Sequence, residues 1–406
     1  MSSRGHSQAE VRSHRRIGEA LDLFHVPEHS PGIASWHPRG LIVYRELERL
    51  VRELGEARGY EEVRCPSLWD WSVWERSGHA QKFSDKMFSV EVDGHRAGLR
   101  PMNCPGHAEL FAQRPRSWRE MPVRFSELGF VHRNEQSGEV NGLLRGRGFC
   151  IDDGHLFCRE QQVPGELLGC LEMALEVYDL FSLQPRAELS LRPQVRLGDD
   201  AMWDRAERAL RDALDAVGLP FDERPGEGAF YGPKIDLHVF DSLGRAWQLG
   251  SVQLDYQLAG PDRFDLSYVA EDGGPARPVI VHRALLGSFE RFIGVLIEHL
   301  NGRLPLWLAP EAVRVLPVGQ AHVEAANRFA GSLRQKEVRC AIDADGPLGG
   351  RVRRAAEMQI PVLAVIGDRE AADGSVALRR GSYSAVFASD EAAQSLGNEV
   401  HGRRRG

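Results

Sequence analysis

Apolar residues recur every three or four positions between Gly40 and Arg58, at Leu41, Tyr44, Leu47, Leu50, Val51 and Leu54, a spacing that predicts an amphipathic helix. The next segment, YEEVRCPSLW, reads as a strand ending at Pro66. From there to about Leu300, prolines and glycines punctuate short strands and helices with no internal repeat. Strands predominate from Met121 to Phe157 and from Ile235 to Tyr256. Between them, Asp199 to Val217 repeats Ala, Leu and Trp at the helical period.

After LPLWLAP, Leu304 to Pro310, the pattern changes. VRVLPV, VRCAID and IPVLAVIG read as strands, HVEAANRFAGSLRQ and RVRRAAEMQ as helices, and VALRRGSYSAVF as a hairpin. Such alternation predicts a small α/β domain with a largely parallel sheet, beginning between Trp307 and Glu311. The polar segment 1–14 and the basic tail 401–406 are expected to be disordered.

Composition narrows the class. A chain of 406 residues, 42% hydrophobic and 27% charged, fits an ordinary globular protein of two or three domains. No apolar run reaches membrane-helix length, and the N-terminus lacks the apolar region of a secretory signal, so a cytoplasmic location is expected. Six cysteines without a C-x-x-C pair read as reduced thiols. A net charge of −7 argues against nonspecific coating of nucleic acid. From Glu311 onward, however, 14 Lys and Arg meet 12 Asp and Glu, which makes this the part suited to a polyanion.

The segment ELGFVHRNEQSGEVNGLLRGRGFCIDDGHLF, Glu127 to Phe157, carries the densest chemistry. Read as two antiparallel strands around a polar loop, it places Arg133 and Glu135 on one face of the first strand. Arg145, Phe149, Ile151, Asp153 and His155 then share a face of the second. Such a series suits holding a phosphate, stacking a base and reading a small polar molecule. The bland reading, a charged solvent face around one core Phe, sits poorly with Asp153 and His155 on an otherwise apolar strand.

At these residues the sequence resembles the class II aminoacyl-tRNA synthetases, and the threonyl-tRNA synthetase family in particular. The resemblance implies an α+β class II catalytic domain, an antiparallel sheet flanked by helices, over 15–308, followed by an anticodon-binding-like α/β domain over 309–400. It implies ATP contacts by Arg133, Glu135, Arg145, Phe149, Gln248 and Ser251, with Arg291 of HRALLGSFERF, a third motif, gripping the phosphates. Pro66 matches the proline of a first motif that lies at a homodimer interface. PMNCPGH, DDGH and VHRALLGS resemble the three parts of a zinc site, with Cys104, His155 and His282 as ligands and a fourth position left for the substrate amine and hydroxyl. Met102, Ile151, Asp153, Tyr231, Lys234 and Gln253 are then expected around the amino acid, with Asp153 reading the hydroxyl. His79 in WERSGHA matches a histidine implicated in transfer to the tRNA ribose, and Glu370 and Arg379 match anticodon-reading positions. Arg133, Arg291 and His79 are thus the expected catalytic residues, with Zn²⁺, Mg²⁺ and ATP as cofactors and substrate. The partners implied are L-threonine and tRNA-Thr.

Departures from the family pattern sharpen these expectations. The family's ubiquitin-like and editing modules are not in this sequence. Serine lacks only a methyl of threonine, worth about 1–3 kcal/mol of discrimination, so serine is expected to be activated without correction in cis. Ile151 stands where the family has glutamine, and Leu249 where it has cysteine, which makes the pocket more apolar. Pro347 takes the place of a lysine, and Met358 and Gln359 that of an arginine pair, which implies altered tRNA affinity. The leading reading is threonine activation and transfer to tRNA-Thr. A paralogue charging a carrier protein or biosynthetic amine with threonine or a related β-hydroxy amino acid is the alternative, and a non-catalytic tRNA-binding regulator is a third.

Overall fold

The strand-rich stretches assemble into one eight-stranded sheet. Its members are β1 (Glu61–Glu62), β2 (Val123–His132), β3 (Gly148–Cys158), β4 (Arg186–Ser190), β5 (Phe221–Arg224), β6 (Lys234–Phe240), β7 (Ala246–Asp255) and β8 (Val279–Ser288). The order is β5-β4-β6-β7-β8-β3-β2-β1. Only the outermost pairs, β5 with β4 and β1 with β2, run parallel. The computed structural model describes residues 13–240 and 244–403. Within it this sheet belongs to a compact unit formed by Val26–Ala34 and Glu48–Gly294.

The helix Val163–Leu180 covers one face of the sheet and buries Leu167, Leu171, Met173 and Val177. Its Tyr178 hydroxyl donates to the Leu285 carbonyl at 2.9 Å and accepts from the Gly250 amide at 2.8 Å, which ties the helix to β8 and β7. The helix Asp200–Ala216 packs on Val163–Leu180. The periodic segment after Gly40 is helical over Pro38–Glu56, with Val43, Leu47, Leu50, Val51 and Leu54 buried. YEEVRCPSLW is not one strand. Only Glu61–Glu62 pairs with β2, and after Pro66, which has no amide to donate, Leu68–Asp70 joins a separate three-stranded sheet.

The second unit comprises residues up to His25, Ser35–Leu47 and the chain from Val295 onward. Its sheet contains β9 (Val313–Pro317), β10 (Cys340–Ile342), β11 (Val362–Ile366), β12 (Ser375–Arg380) and β13 (Tyr383–Ala388), in the order β10-β9-β11-β12-β13. The expected parallel character holds for β9 with β10 and β11, but the β11–β12 and β12–β13 pairs are antiparallel. The chain between Ile366 and Ser375 is too short for a parallel crossover, so it turns back. Phe329, Leu333, Val313, Val315, Val362 and Val376 form the core. A final helix, Ser389–His401, that the hydrophobic pattern did not reveal adds Ala392, Ala393 and Leu396 to it.

Residues 1–12 of the segment expected to be disordered, and 404–406 of the tail, lie outside the described residues. His14 opens a helix, His14–Ala20, and its buried imidazole lies 2.7 Å from the Glu298 carboxylate. Among the described residues no helix is long and apolar enough to cross a membrane.

Candidate active site

Strand register arranges the site. Across β3, β8, β7 and β6, His155 aligns with His282, Gln253 and Lys234; one step along, Asp153 aligns with Ala284, Ser251 and Asp236. The alternation expected for the second strand is observed over Phe149, Ile151, Asp153 and His155, with Cys150, Asp152 and Gly154 buried beneath. Arg133, Glu135 and Arg145, however, are not strand residues. β2 stops at His132 and β3 starts at Gly148, and the loop between them carries all three side chains. Turn bonds within 141–145 and the Arg147 amide, which donates to Gly32 O at 2.7 Å, replace the ladder there.

One cavity of ≈ 340 Å³ on this face gathers most of the expected residues. Arg133, Glu135, Arg145, Phe149, Gln248, Ser251 and Arg291 line one part. Met102, Cys104, Ile151, Asp153, His155, Tyr231, Lys234, Gln253 and His282 line the other.

The cationic part is pre-ordered by carbonyls. Arg291 donates from Nε to Leu144 O at 2.8 Å and from Nη1 to Gln248 O at 2.9 Å. Arg133 donates to Pro101 O at 3.2 Å and sits 5.2 Å above the Phe149 ring. Burial lowers the pKa of both guanidinium groups, which leaves them cationic and poorly solvated, as an anion site requires. The Glu135 carboxylate, expected among the ATP contacts, is held by Arg145 at 2.9 Å and by Lys86, a residue the sequence did not single out, at 3.1 Å.

The other part offers metal-type donors. One ligand atom from each of Cys104, His155 and His282 lies within 4.8 Å of the others, and all three residues are buried. Cys104 opens the helix Cys104–Ala112, with Pro105 at its first turn. His155 and His282 face one another in register, ring centroids 4.6 Å apart. Burial pushes the Cys104 thiol up and the His155 imidazole well down, so His155 is neutral, and its Nδ1, 3.8 Å from Asp153 Oδ1, has no hydrogen-bond partner. Asp153 accepts from Asn103 Nδ2 at 2.9 Å. Asn103 fits there because Gly129 on β2 has no side chain; a Cβ would lie 2.4 Å from the Asn103 amide nitrogen. Tyr231 stacks on His282, centroids 5.7 Å apart, and donates to Gln253 Oε1 at 3.0 Å. Lys234 pairs with Asp236, which also accepts from Gln248 Nε2 at 2.6 Å. Ile151, Leu249 and Ala284 supply the apolar lining.

Four expected residues fall outside the cavity. His79 is buried behind it, with Nδ1 2.8 Å from Ser77 Oγ and Nε2 3.3 Å from Met102 Sδ. Burial, with His282 and Arg133 nearby, lowers its pKa to about 4. Pro66 is exposed. Glu370 caps its own helix, accepting from the Gly367 amide at 2.9 Å, while Arg379 is exposed on β12. Asn103, inside PMNCPGH, and Asp236 and Asp255 were missed, because only the fold shows what they touch. A second group of metal-type donors, Cys65, His107 and Glu127, is already supplied with a cation by Arg100, 2.8 Å from Glu127.

Comparison with known proteins agrees with this geometry. The profile of the tRNA synthetase class II core domain (G, H, P, S and T) matches residues 88–300, and that of an anticodon binding domain matches 312–386. The chain belongs to the class II aminoacyl-tRNA synthetases. Within that class its likeness is to the threonine enzymes. It is 45% identical over 374 residues to the threonine--tRNA ligase of Acinetobacter baylyi, covering 92% of this chain and 58% of that protein. The Stenotrophomonas maltophilia ligase is likewise 45% identical, covering 92% and 59%. The chain thus spans somewhat over half the length of these relatives. Among solved structures, the RNA binding domain of threonyl-tRNA synthetase from Cryptosporidium parvum Iowa II superposes with a TM-score of 0.91 at 36% identity, covering 95% of this chain and 98% of that one. Giardia lamblia prolyl-tRNA synthetase, at 17% identity and a TM-score of 0.75, covering 96% and 79%, shares the fold.

Proposed function

We propose that this chain joins L-threonine to ATP as an aminoacyl-adenylate and passes the threonyl group to tRNA-Thr. The observation that carries this reading is a buried thiol and two imidazoles within 4.8 Å of one another, in the same cavity as Arg133, Arg145 and Arg291. One thiol and two imidazoles, one with a nitrogen that has no hydrogen-bond partner, are donors that suit zinc with a vacant position. In this reading Cys104, His155 and His282 hold the ion, which supplies, when bound, a Lewis-acid corner for an amine and its neighbouring hydroxyl. Asp153, oriented by Asn103, accepts the hydroxyl proton in a hydrogen bond, and Tyr231 and Gln253 border the backbone of the amino acid.

Arg133 and Arg291 offset the charge that builds on the α-phosphate as the carboxylate attacks and pyrophosphate leaves, while Phe149 stacks the adenine. Their attachment to backbone carbonyls fixes that geometry before ATP arrives. Mg²⁺ accompanies ATP, as in other nucleotide-using enzymes. Residues 15–308 serve as the catalytic core, and 309–400 face the anticodon through Arg379. The exposed stretch around Pro66 pairs two copies, and the protein works in the cytoplasm.

Threonine-dependent ATP–pyrophosphate exchange tests activation, and charging of purified tRNA-Thr tests the acceptor. Both should proceed with this chain and fall together in Asp153→Ala. Exchange driven equally by valine would overturn the hydroxyl reading, since valine leaves Asp153 unsatisfied. Exchange without charging would move the acceptor to another molecule.

A further inference from the structure

Of the three donors, His282 alone has its imidazole directed by a buried carboxylate at hydrogen-bond distance. Asp255, the last residue of β7, is wholly buried. Its Oδ1 accepts from the Gln257 amide at 2.6 Å and the Leu258 amide at 3.1 Å, and its Oδ2 lies 3.0 Å from His282 Nε2. A carboxylate can only accept here, so Nε2 bears the proton and Nδ1 carries the lone pair. Tyr231, stacked with its ring 27° from parallel, and His155, whose ring stands at 71° to it, pack against the His282 imidazole.

We propose that Asp255 is a positioning residue that fixes His282 in the one tautomer able to bind a metal through Nδ1. The inference rests on the zinc reading above and adds what proximity does not supply: a neutral imidazole has two forms, and only one leaves the inward nitrogen open. His155 has no such partner on Nδ1, so the site depends on Asp255 for its preset ligand.

The geometry makes a sharp forecast for Asp255→Asn. Two backbone amides converge on Oδ1 and require an acceptor, so the asparagine oxygen is confined to that side. Its NH₂ group then points at His282 and donates to Nε2, which drives the imidazole proton onto Nδ1. An isosteric change that preserves the turn therefore blocks the coordinating atom. Asp255→Ala removes the turn acceptor but leaves both tautomers open, so it should cost more stability and less metal affinity than Asp255→Asn.

The test uses the full chain. Zinc content after dialysis, the rate at which a chromogenic chelator extracts zinc, and the visible spectrum of the Co²⁺ form are compared for wild type and both variants. In parallel, ¹⁵N resonances of histidine in the metal-free proteins report the tautomer. Asp255→Asn should release zinc roughly ten- to hundredfold faster than wild type, with an unchanged far-UV spectrum and thermal midpoint in the metal-free state. His282 should read as Nε2–H in wild type and Nδ1–H in the variant. Equal zinc retention by wild type and Asp255→Asn, or an Nδ1–H tautomer in wild type, overturns the proposal. Absence of zinc binding by wild type, with the Nε2–H tautomer intact, overturns the zinc reading and leaves Asp255 only the orientation of His282.

Discussion

A single hydrogen bond ties Asn103 to Asp153, the residue that the proposed function sets against the substrate hydroxyl. Asn103 is 1% exposed and aims its amide at Asp153, and the carboxylate is thereby held toward the cavity. Replacing Asn103 with Ala removes a bond to a charged group, worth about 1.5–3 kcal/mol. The expected result is a ten- to hundredfold fall in kcat/KM for threonine in pyrophosphate exchange, with the KM for ATP unchanged; an unaltered kcat/KM would show that Asp153 needs no such support. Ile151 tests the opposite direction. It lies on β3 between Phe149 and Asp153, with Ser288 and Gly129 opposite, so a longer polar side chain there faces the cavity. Ile151→Gln should lower the threonine KM about two- to tenfold, the net gain of one ordinary hydrogen bond. A higher KM would mean that the pocket has been refitted around the aliphatic chain.

At the scale of elements, close approaches at glycines beside the strands set the site as firmly as the polar residues do. A Cβ on Gly232 would meet the Leu254 carbonyl oxygen at 1.9 Å, a backbone atom that cannot step aside without moving β7. A Cβ on Gly129 would press instead on the end of the Asn103 side chain. Gly232→Ala should therefore lower stability by roughly 1–3 kcal/mol or more, seen as a shifted urea midpoint. Gly129→Ala should resemble Asn103→Ala in kinetics with a smaller loss of stability. If the two glycine variants unfolded alike, the distinction between backbone and side-chain obstruction would be wrong. Element type was legible from periodicity for Pro38–Glu56 and for the alternating region after Val313, since burial follows the period. Element ends were not: the strand expected to run to Pro66 stops at Glu62, and the loop carrying Arg133, Glu135 and Arg145 is fixed by bonds to Gly32, far away in sequence.

For the molecule as a whole, two separable readouts follow. Charging and activation should part at Arg379, exposed on β12: Arg379→Ala is expected to slow charging of tRNA-Thr several-fold while exchange is untouched, and a loss of both would point to damage to the fold. Global stability carries a signature of His79, whose pKa falls from 6.5 to about 4 on burial. The unfolded chain takes up the proton first as pH drops, so the native state loses stability between pH 6.5 and 4. In metal-free protein this amounts to roughly 3 kcal/mol, an order-of-magnitude figure from the size of the shift. Urea unfolding of His79→Gln across that range should show a correspondingly shallower slope than wild type; parallel slopes would show that His79 is solvated.

By itself the sequence determined which chemistry was available: a thiol, two imidazoles, a carboxylate and three guanidinium groups, set in motifs whose alternation places Phe149, Ile151, Asp153 and His155 on one side of a strand. Side-chain alternation is a local property of an extended backbone, so it can be read without a fold. Whether Cys104, 51 residues before His155, and His282, 127 after it, come together is not local. That was decided by the register of β8 against β3 and by the helix that Cys104 opens, and so were the bonds of Asn103, Lys86 and Asp255. Hydrogen bonds across such separations exist only once the sheet has closed, which is why no periodicity announces them.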